Sequence, residues 1–174
     1  MNYTEYISPF GKLILVSDGE VLTGLYLPEQ KFDTGNRSYR PELPVFLLAQ
    51  RWLSRYFAGE NPPVDFPVKP AGTEFQRRVW KHLREIPYGK TETYGQIARK
   101  ISRTMSAQAV GGAVGRNPIS IVIPCHRCVG AGGRLTGYAG GLTAKRYLLQ
   151  LEEKHYDGKR ISEAGDDHAE SGAG

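Results

Sequence analysis

The chain has 174 residues, two-fifths of them apolar, and carries 23 basic against 18 acidic side chains for a formal net charge of +5. That length supports one full hydrophobic core, or a small subdomain packed on a larger one. No run approaches the roughly 18 apolar residues of a membrane span, and "MNYTEYISPFGK" lacks the basic-then-apolar pattern of a secretion signal. No membrane partner is expected, and the cytoplasm is the expected location.

In chain order, "KLILV" and "VLTGLYL" alternate in the manner of strands and flank "SDGE", where Asp18-Gly19 suits a tight hairpin turn. They predict a small antiparallel sheet. "LPVFLLAQRWLSRYFAGE" repeats apolar residues at helical spacing through Phe46, Leu47, Leu53, Tyr56 and Phe57, and stops at Gly59. "NPPVDFPVKPAG" packs four prolines into twelve residues, a linker or extended crossing that holds the domain boundary.

Beyond it the pattern turns helical. Thr73 with Gln76 forms a capping box for "EFQRRVWKHLREI", whose Phe75, Val79, Trp80 and Leu83 make an apolar stripe. "PYGK" is a turn, "TETYGQIARKI" a short helix, "SRTM" a turn, and "SAQAVGGAVGRN" a second short helix capped by Ser106. Two short helices joined by a tight turn in a basic segment match a helix-turn-helix. Ala107, Ala109, Gly111, Gly112 and Ala113 leave the second helix little bulk, which serves either close packing on a neighbouring helix or entry into a DNA groove.

Ile119, Ile121 and Ile123 alternate as a short extended segment, and Pro124 excludes helix just before Cys125. A glycine-rich loop, "GAGGRLTGYAGG", precedes a final helix, "LTAKRYLLQLEEKH", and a polar tail expected to be disordered. The expected class is therefore mixed α/β (α+β). Residues 1–68 form an antiparallel-sheet domain with a helix and linker, 69–156 a mostly helical domain with the helix-turn-helix, and 157–174 a disordered tail.

Charge is unevenly spread. Residues 73–150 hold 13 Lys/Arg and three Asp/Glu, a local balance of +10, whereas the rest of the chain is net acidic. A solvated basic face explains this, and so does a polyanion-binding surface.

The two cysteines, Cys125 and Cys128, stand three residues apart in "SIVIPCHRCVG", which excludes a disulfide framework between distant parts of the chain. With His82, His126, His155 and His168 they match no common zinc spacing, so neither metal nor cofactor is expected. A cysteine attacks as thiolate, and a free pKa near 8.5 leaves a few per cent ionised at neutral pH. His126 can take the proton, directly or through a bridging water, if a carboxylate orients it, and Glu152 and Glu153 are the nearby candidates. A buried structural thiol is the competing reading, and the stronger one for Cys128.

"IPCHR", preceded by "GRNP" and followed by "GYAGGLTAKRYLLQLE", closely resembles the O6-alkylguanine-DNA alkyltransferases, or methylated-DNA–protein-cysteine methyltransferases, from about Gly72 to Glu152. "SPFGKLILV" near the start is similar too. The resemblance implies direct-reversal DNA repair. One alkyl group passes irreversibly from O6-alkylguanine, with O4-alkylthymine as a further candidate, to Cys125 after the base is flipped from double-stranded DNA. It further implies His126 and Glu152 as the activating relay, the former through a water, Asn117 as the brace of the active-site loop, and Arg127 as a structural support. Tyr94 would assist nucleotide rotation and donate a proton. Tyr138 and Ala139 would wall the base pocket, and Cys128 would offer only its backbone carbonyl. Ser106, Ala107 and Gly111 would lie on the DNA-binding helix, which enters the minor groove. Gln108 stands where many members place an arginine that fills the gap left by the base. A monomer is expected; cooperativity on DNA is left open. The competing classes are a damage-binding module without chemistry, a helix-turn-helix regulator and a Cys-His hydrolase.

Overall fold

The structure, a computed structural model, describes residues 1–165, with side chains through Tyr156. Strands β1 (Asn2–Ser8), β2 (Gly11–Ser17) and β3 (Leu22–Tyr26) form an antiparallel meander, in register from Asn2 opposite Ser17 to Ser8 opposite Gly11. At the β2–β3 hairpin Asp18 accepts hydrogen bonds from the Glu20 and Val21 amides at 2.9 and 3.0 Å, and Gly19 takes a φ of +115°. The expected turn is thus an Asx-type turn with glycine in the region closed to other side chains.

Two features of the sheet differ from expectation. A two-residue strand, β4 (Ser38–Tyr39), pairs parallel to β1, so the sheet is mixed, in the order β3-β2-β1-β4. β1 itself carries no apolar signal: its buried residues are Thr4 and Ser8, while Ile7 is 74% exposed. Its pairing with β2, not its own hydrophobicity, makes it a strand.

Helix α1 (Pro44–Phe57) starts on proline and buries Val45, Phe46, Ala49, Trp52, Leu53 and Tyr56 against the sheet. Leu47, expected on that stripe, lies on the outward face. The proline-rich segment then runs along β3, where Leu22 and the segment exchange backbone hydrogen bonds at Pro67 and Lys69, both 2.9 Å. It acts as an extended crossing, and the buried residues of the two halves form one continuous cluster.

In the second half, Thr73 and Gln76 cap α2 (Glu74–Arg84) as a capping box. A second box, Thr93 with Gln96, starts α3 (Tyr94–Ile101), and the Ser106 hydroxyl accepts from the Ala109 amide at 3.0 Å to start α4 (Ala107–Gly115). Val110, Ala113 and Val114 are buried, and Trp80 Nε1–H donates to the Ala113 carbonyl at 2.8 Å, which docks α4 on α2.

Residues 119–123 do not form the extended run expected from alternating isoleucines. The Ile123 amide bonds back to the Ile119 carbonyl at 3.0 Å around Ile121, whose φ is +71°. A β-branched residue there costs about 1–2 kcal/mol. Burial of Ile119, Ile121 and Ile123 holds the reversal in place. A single 3₁₀ turn, Cys125–Arg127, follows, and then strand β6 (Cys128–Val129), which pairs parallel to β5 (Glu92–Thr93). The last helix, α5 (Leu142–Gly165), runs past His155, so the first nine residues of the tail expected to be disordered continue its backbone, and residues 166–174 lie outside the described residues. Among the described residues no helix is long and apolar enough to cross a membrane.

Thr73→Ala removes one side of the α2 capping box and should lower stability by about 1 kcal/mol. In a protein of this size that is a fall in melting temperature of roughly 2–4 °C, read by calorimetry.

Candidate active site

Pro124 fixes the entry to the 3₁₀ turn, and the turn rather than extended chain decides where neighbouring side chains go. Cys125 and His126 are both buried, at 4% and 0% exposure. The Cys125 sulfur lies 3.7 Å from the Tyr138 hydroxyl, and the Asn117 side chain on its other side acts to lower its pKa. Asn117 spans the reversal: its amide nitrogen donates to the Ile123 carbonyl at 2.9 Å, and its oxygen accepts from the Ile119 amide at 3.0 Å. One side chain therefore ties both ends of the strained loop and touches the thiol.

His126 points the other way, into α5. Its Nε2 lies 2.6 Å from Glu152 Oε2. Arg127 grips the same carboxylate from the other side, Nε to Oε1 at 2.8 Å and a terminal nitrogen to Oε2 at 3.1 Å, and donates to the Ile86 carbonyl at 2.8 Å. The Gly89 amide adds a bond of 3.1 Å to Oε1, and the Tyr56 hydroxyl one of 2.6 Å to Oε2. Glu153, the other carboxylate candidate, is exposed. Glu152 alone orients the histidine.

The electrostatics follow from these contacts. Burial works against the Glu152 carboxylate, but His126 and Arg127 outweigh it and hold its pKa well below the usual range. Burial lowers the His126 pKa against the pull of Glu152, so the resting ring is neutral. With Nε2–H donated to a carboxylate, the lone pair sits on Nδ1, which is buried with no hydrogen-bond partner among the described residues. Burial also raises the Cys125 pKa, opposed by the hydrogen bonds of Asn117 and Tyr138 and by the charge of Lys145. The thiol rests protonated. Cys128 shares the Lys145 charge but receives no such hydrogen bonds, and burial pushes its pKa up to about 12, so it stays a thiol at neutral pH.

The remaining expected site residues fall in two places. Tyr94 opens α3, half-buried, with a pKa raised by burial that keeps it a donor. Tyr138 and exposed Ala139 lie on the glycine-rich loop over Cys125. Ser106, Ala107 and Gln108 are exposed on α4, away from the thiol, with Gly111 against the Tyr94 ring. A Cβ at Gly112 or Gly115 would meet nothing within 4 Å, so no internal packing requires these two glycines. Among the described residues no cluster of three or more His, Cys, Asp or Glu side chains could hold a metal.

Sequence reasoning overlooked three members. Gly89 and Tyr56 complete the shell of Glu152. Lys145 is fully buried, donates to the Thr136 carbonyl at 3.2 Å, and stands 5.6 Å from the Tyr138 ring centre, so it pins the glycine-rich loop. A signal existed for it: Lys145, Leu148 and Glu152 share one face of α5 at i, i+3 and i+7, a buried stripe carrying two charged residues.

Fold and site define a cysteine-centred active site, set on a helical half and braced by a His–Glu–Arg network against a mixed-sheet half. Residues 1–70 match the ribonuclease-like domain, and residues 74–154 the DNA-binding domain, of 6-O-methylguanine DNA methyltransferase. A methylated-DNA–protein-cysteine methyltransferase of Haemophilus influenzae is 47% identical over 156 residues, 88% of this chain and 87% of that protein. A crystal structure of Mycobacterium tuberculosis OGT in complex with DNA is 46% identical, covers 89% of this chain and 94% of its own, and superposes with a TM-score of 0.83. An O6-methylguanine DNA methyltransferase from Methanococcus jannaschii is 30% identical with a TM-score of 0.61, over 86% of this chain and 92% of its own. The chain belongs to the methylated-DNA–protein-cysteine methyltransferase family.

Glu152→Gln leaves the Arg127 charge and the His126 ring without their anion and should cost about 3 kcal/mol. Because the folded-state pKa of Glu152 is depressed, its contribution is complete above the ordinary carboxylate range and is lost as pH falls below it. Urea unfolding at a series of pH values should show the gap between wild type and variant narrowing on the acid side.

Proposed function

We propose that this protein repairs DNA by direct reversal, taking the alkyl group of O6-alkylguanine onto Cys125 once per molecule. The observation that carries the reading is the Cys125 thiol, held between Tyr138 and Asn117 next to a neutral imidazole whose Nε2–H is committed to Glu152. His126 Nδ1 takes the thiol proton through a bridging water, and the Sγ lone pair attacks the alkyl carbon. The C–O6 bond breaks, its electrons remain on the guanine, and Tyr94 supplies a proton to the ring. The product is guanine and a thioether at Cys125. A thioether has no simple reversal, so the protein is consumed.

The thiol is 4% exposed, beyond reach of a base held in the duplex stack. The damaged nucleotide must rotate out into the space under Tyr138 and Ala139, at a cost of a few kcal/mol offset by pocket contacts. The α3–turn–α4 pair serves as the helix-turn-helix. Gly112 and Gly115, which no internal packing requires, let the α4 backbone approach the minor groove, with Gln108 at the position facing the gap left by the base. The basic segment supplies the attraction to phosphate. In this reading residues 1–68 and 69–156 are the two domains, and a single copy acts on double-stranded DNA.

Incubation with duplex DNA carrying O6-methylguanine should add one methyl group to Cys125 and none to Cys128, read by mass spectrometry of peptides. Cys125→Ser should gain none; an unmodified thiol in wild type under conditions of tight binding would falsify the reading. The same assay on O4-methylthymine decides the second substrate. Gly112→Leu, which adds bulk where no protein atom is met, should leave the melting temperature unchanged or higher and weaken DNA binding about tenfold, equivalent to roughly 1.4 kcal/mol.

A further inference from the structure

Tyr56 lies on α1 in the sheet-bearing half, 96 residues before Glu152, yet its hydroxyl is 2.6 Å from Glu152 Oε2. The same oxygen accepts from His126 Nε2, also at 2.6 Å. We infer that Tyr56 is a positioning residue for the transfer proposed above: by sharing the oxygen that holds His126, it sets how strongly the carboxylate grips the imidazole. The inference rests on the alkyl-transfer reading for its consequence, but the contact itself is independent of it.

Packing fixes the hydroxyl in place. Tyr56 is 1% exposed, its ring stacks on Trp52 at 5.3 Å and 10°, and Tyr88 meets it edge-on at 6.3 Å. Satisfaction of a buried hydroxyl would be reason enough for some partner, but the neighbouring Tyr88 hydroxyl is buried with none among the described atoms. This aromatic cluster tolerates an unpaired hydroxyl; Tyr56 instead reaches the one anion of the site. Burial and the adjacent carboxylate raise its pKa well above the ordinary tyrosine value, so it donates at any working pH.

The direction of its influence follows from sharing. Tyr56, His126 and a terminal nitrogen of Arg127 share Oε2, and donors that share one oxygen each receive less of its charge than any would alone. Without the phenol, Glu152 would favour the imidazolium form of His126 more strongly. Other groups facing this pair are Arg127 and Tyr88 beside the carboxylate, Lys145 and Glu152 from α5, and Cys125 and Tyr138 on the thiol side. The Gly89 amide completes the shell. Among the described residues that donate to Glu152, Tyr56 is the one from the sheet-bearing half, so that half reaches the site through one hydroxyl.

Two readouts test this on the full chain. Tyr56→Phe keeps the ring and removes the hydroxyl. It should raise the midpoint of His126 ionisation, followed by ¹⁵N and ¹H resonances of the ring in the DNA-free protein, by about half a pH unit or more. The acid limb of the methyl-transfer rate should move to higher pH by the same amount. Site-specific 3-fluorotyrosine at position 56, a stronger donor of nearly the same shape, should move both the opposite way, and it decides the matter alone if Tyr56→Phe does not fold. Unmoved midpoints in both variants would overturn the inference, as would an equal shift in Trp52→Phe, which loosens the ring but keeps the hydroxyl. If wild type transfers no methyl group, the functional reading fails while the resonances still settle the Tyr56 contact.

Discussion

The Glu152 carboxylate is the constraint on which the rest of the site depends. It is 1% exposed and accepts five hydrogen bonds from four residues, which come from α1, the loop before α3 and the 3₁₀ turn. An ionised carboxylate buried without partners would cost several kcal/mol, so the surrounding elements can close only in the arrangement that supplies the donors. The same arrangement fixes the tautomer of His126, holds Arg127 across to the end of α2, and ties both halves of the chain together. Stability and chemistry are here one network.

On the other side of the thiol a second set of constraints acts through the backbone. Asn117 ties a reversal that contains a left-handed isoleucine, and Lys145 ties the glycine-rich loop that carries Tyr138. The thiol is therefore held by loops, but the loops are held by buried side chains of neighbouring elements. That is how an irregular segment can present a reactive atom with little freedom. The contrast between Cys125 and Cys128 shows the effect. Both are buried in apolar surroundings, and only Cys125 receives hydrogen bonds that favour the thiolate.

Much of this was legible in the chain. The Thr73–Gln76 capping box and the Asp18-Gly19 turn are local rules, read within four residues, and they hold because the groups that satisfy one another are neighbours in sequence. β1 was not, because its inward residues are Thr4 and Ser8, and a strand recruited by its partner need carry no apolar pattern of its own. The alternating isoleucines suggested an extended run, but burial of all of them around a tight reversal satisfies the same hydrophobicity with a different backbone.

The chain alone carried the class of the fold, the elements with local start and stop signals, the uneven charge and the adjacency of Cys125 and His126. Only the tertiary structure showed Glu152 bonded to His126 with Glu153 exposed, brought Tyr56 and Lys145 to the site, and showed that Gly112 and Gly115 face open space. The physical reason is distance along the chain. Patterning reports which face of an element is buried, whereas a buried charge is balanced by donors that meet it only after the core has closed.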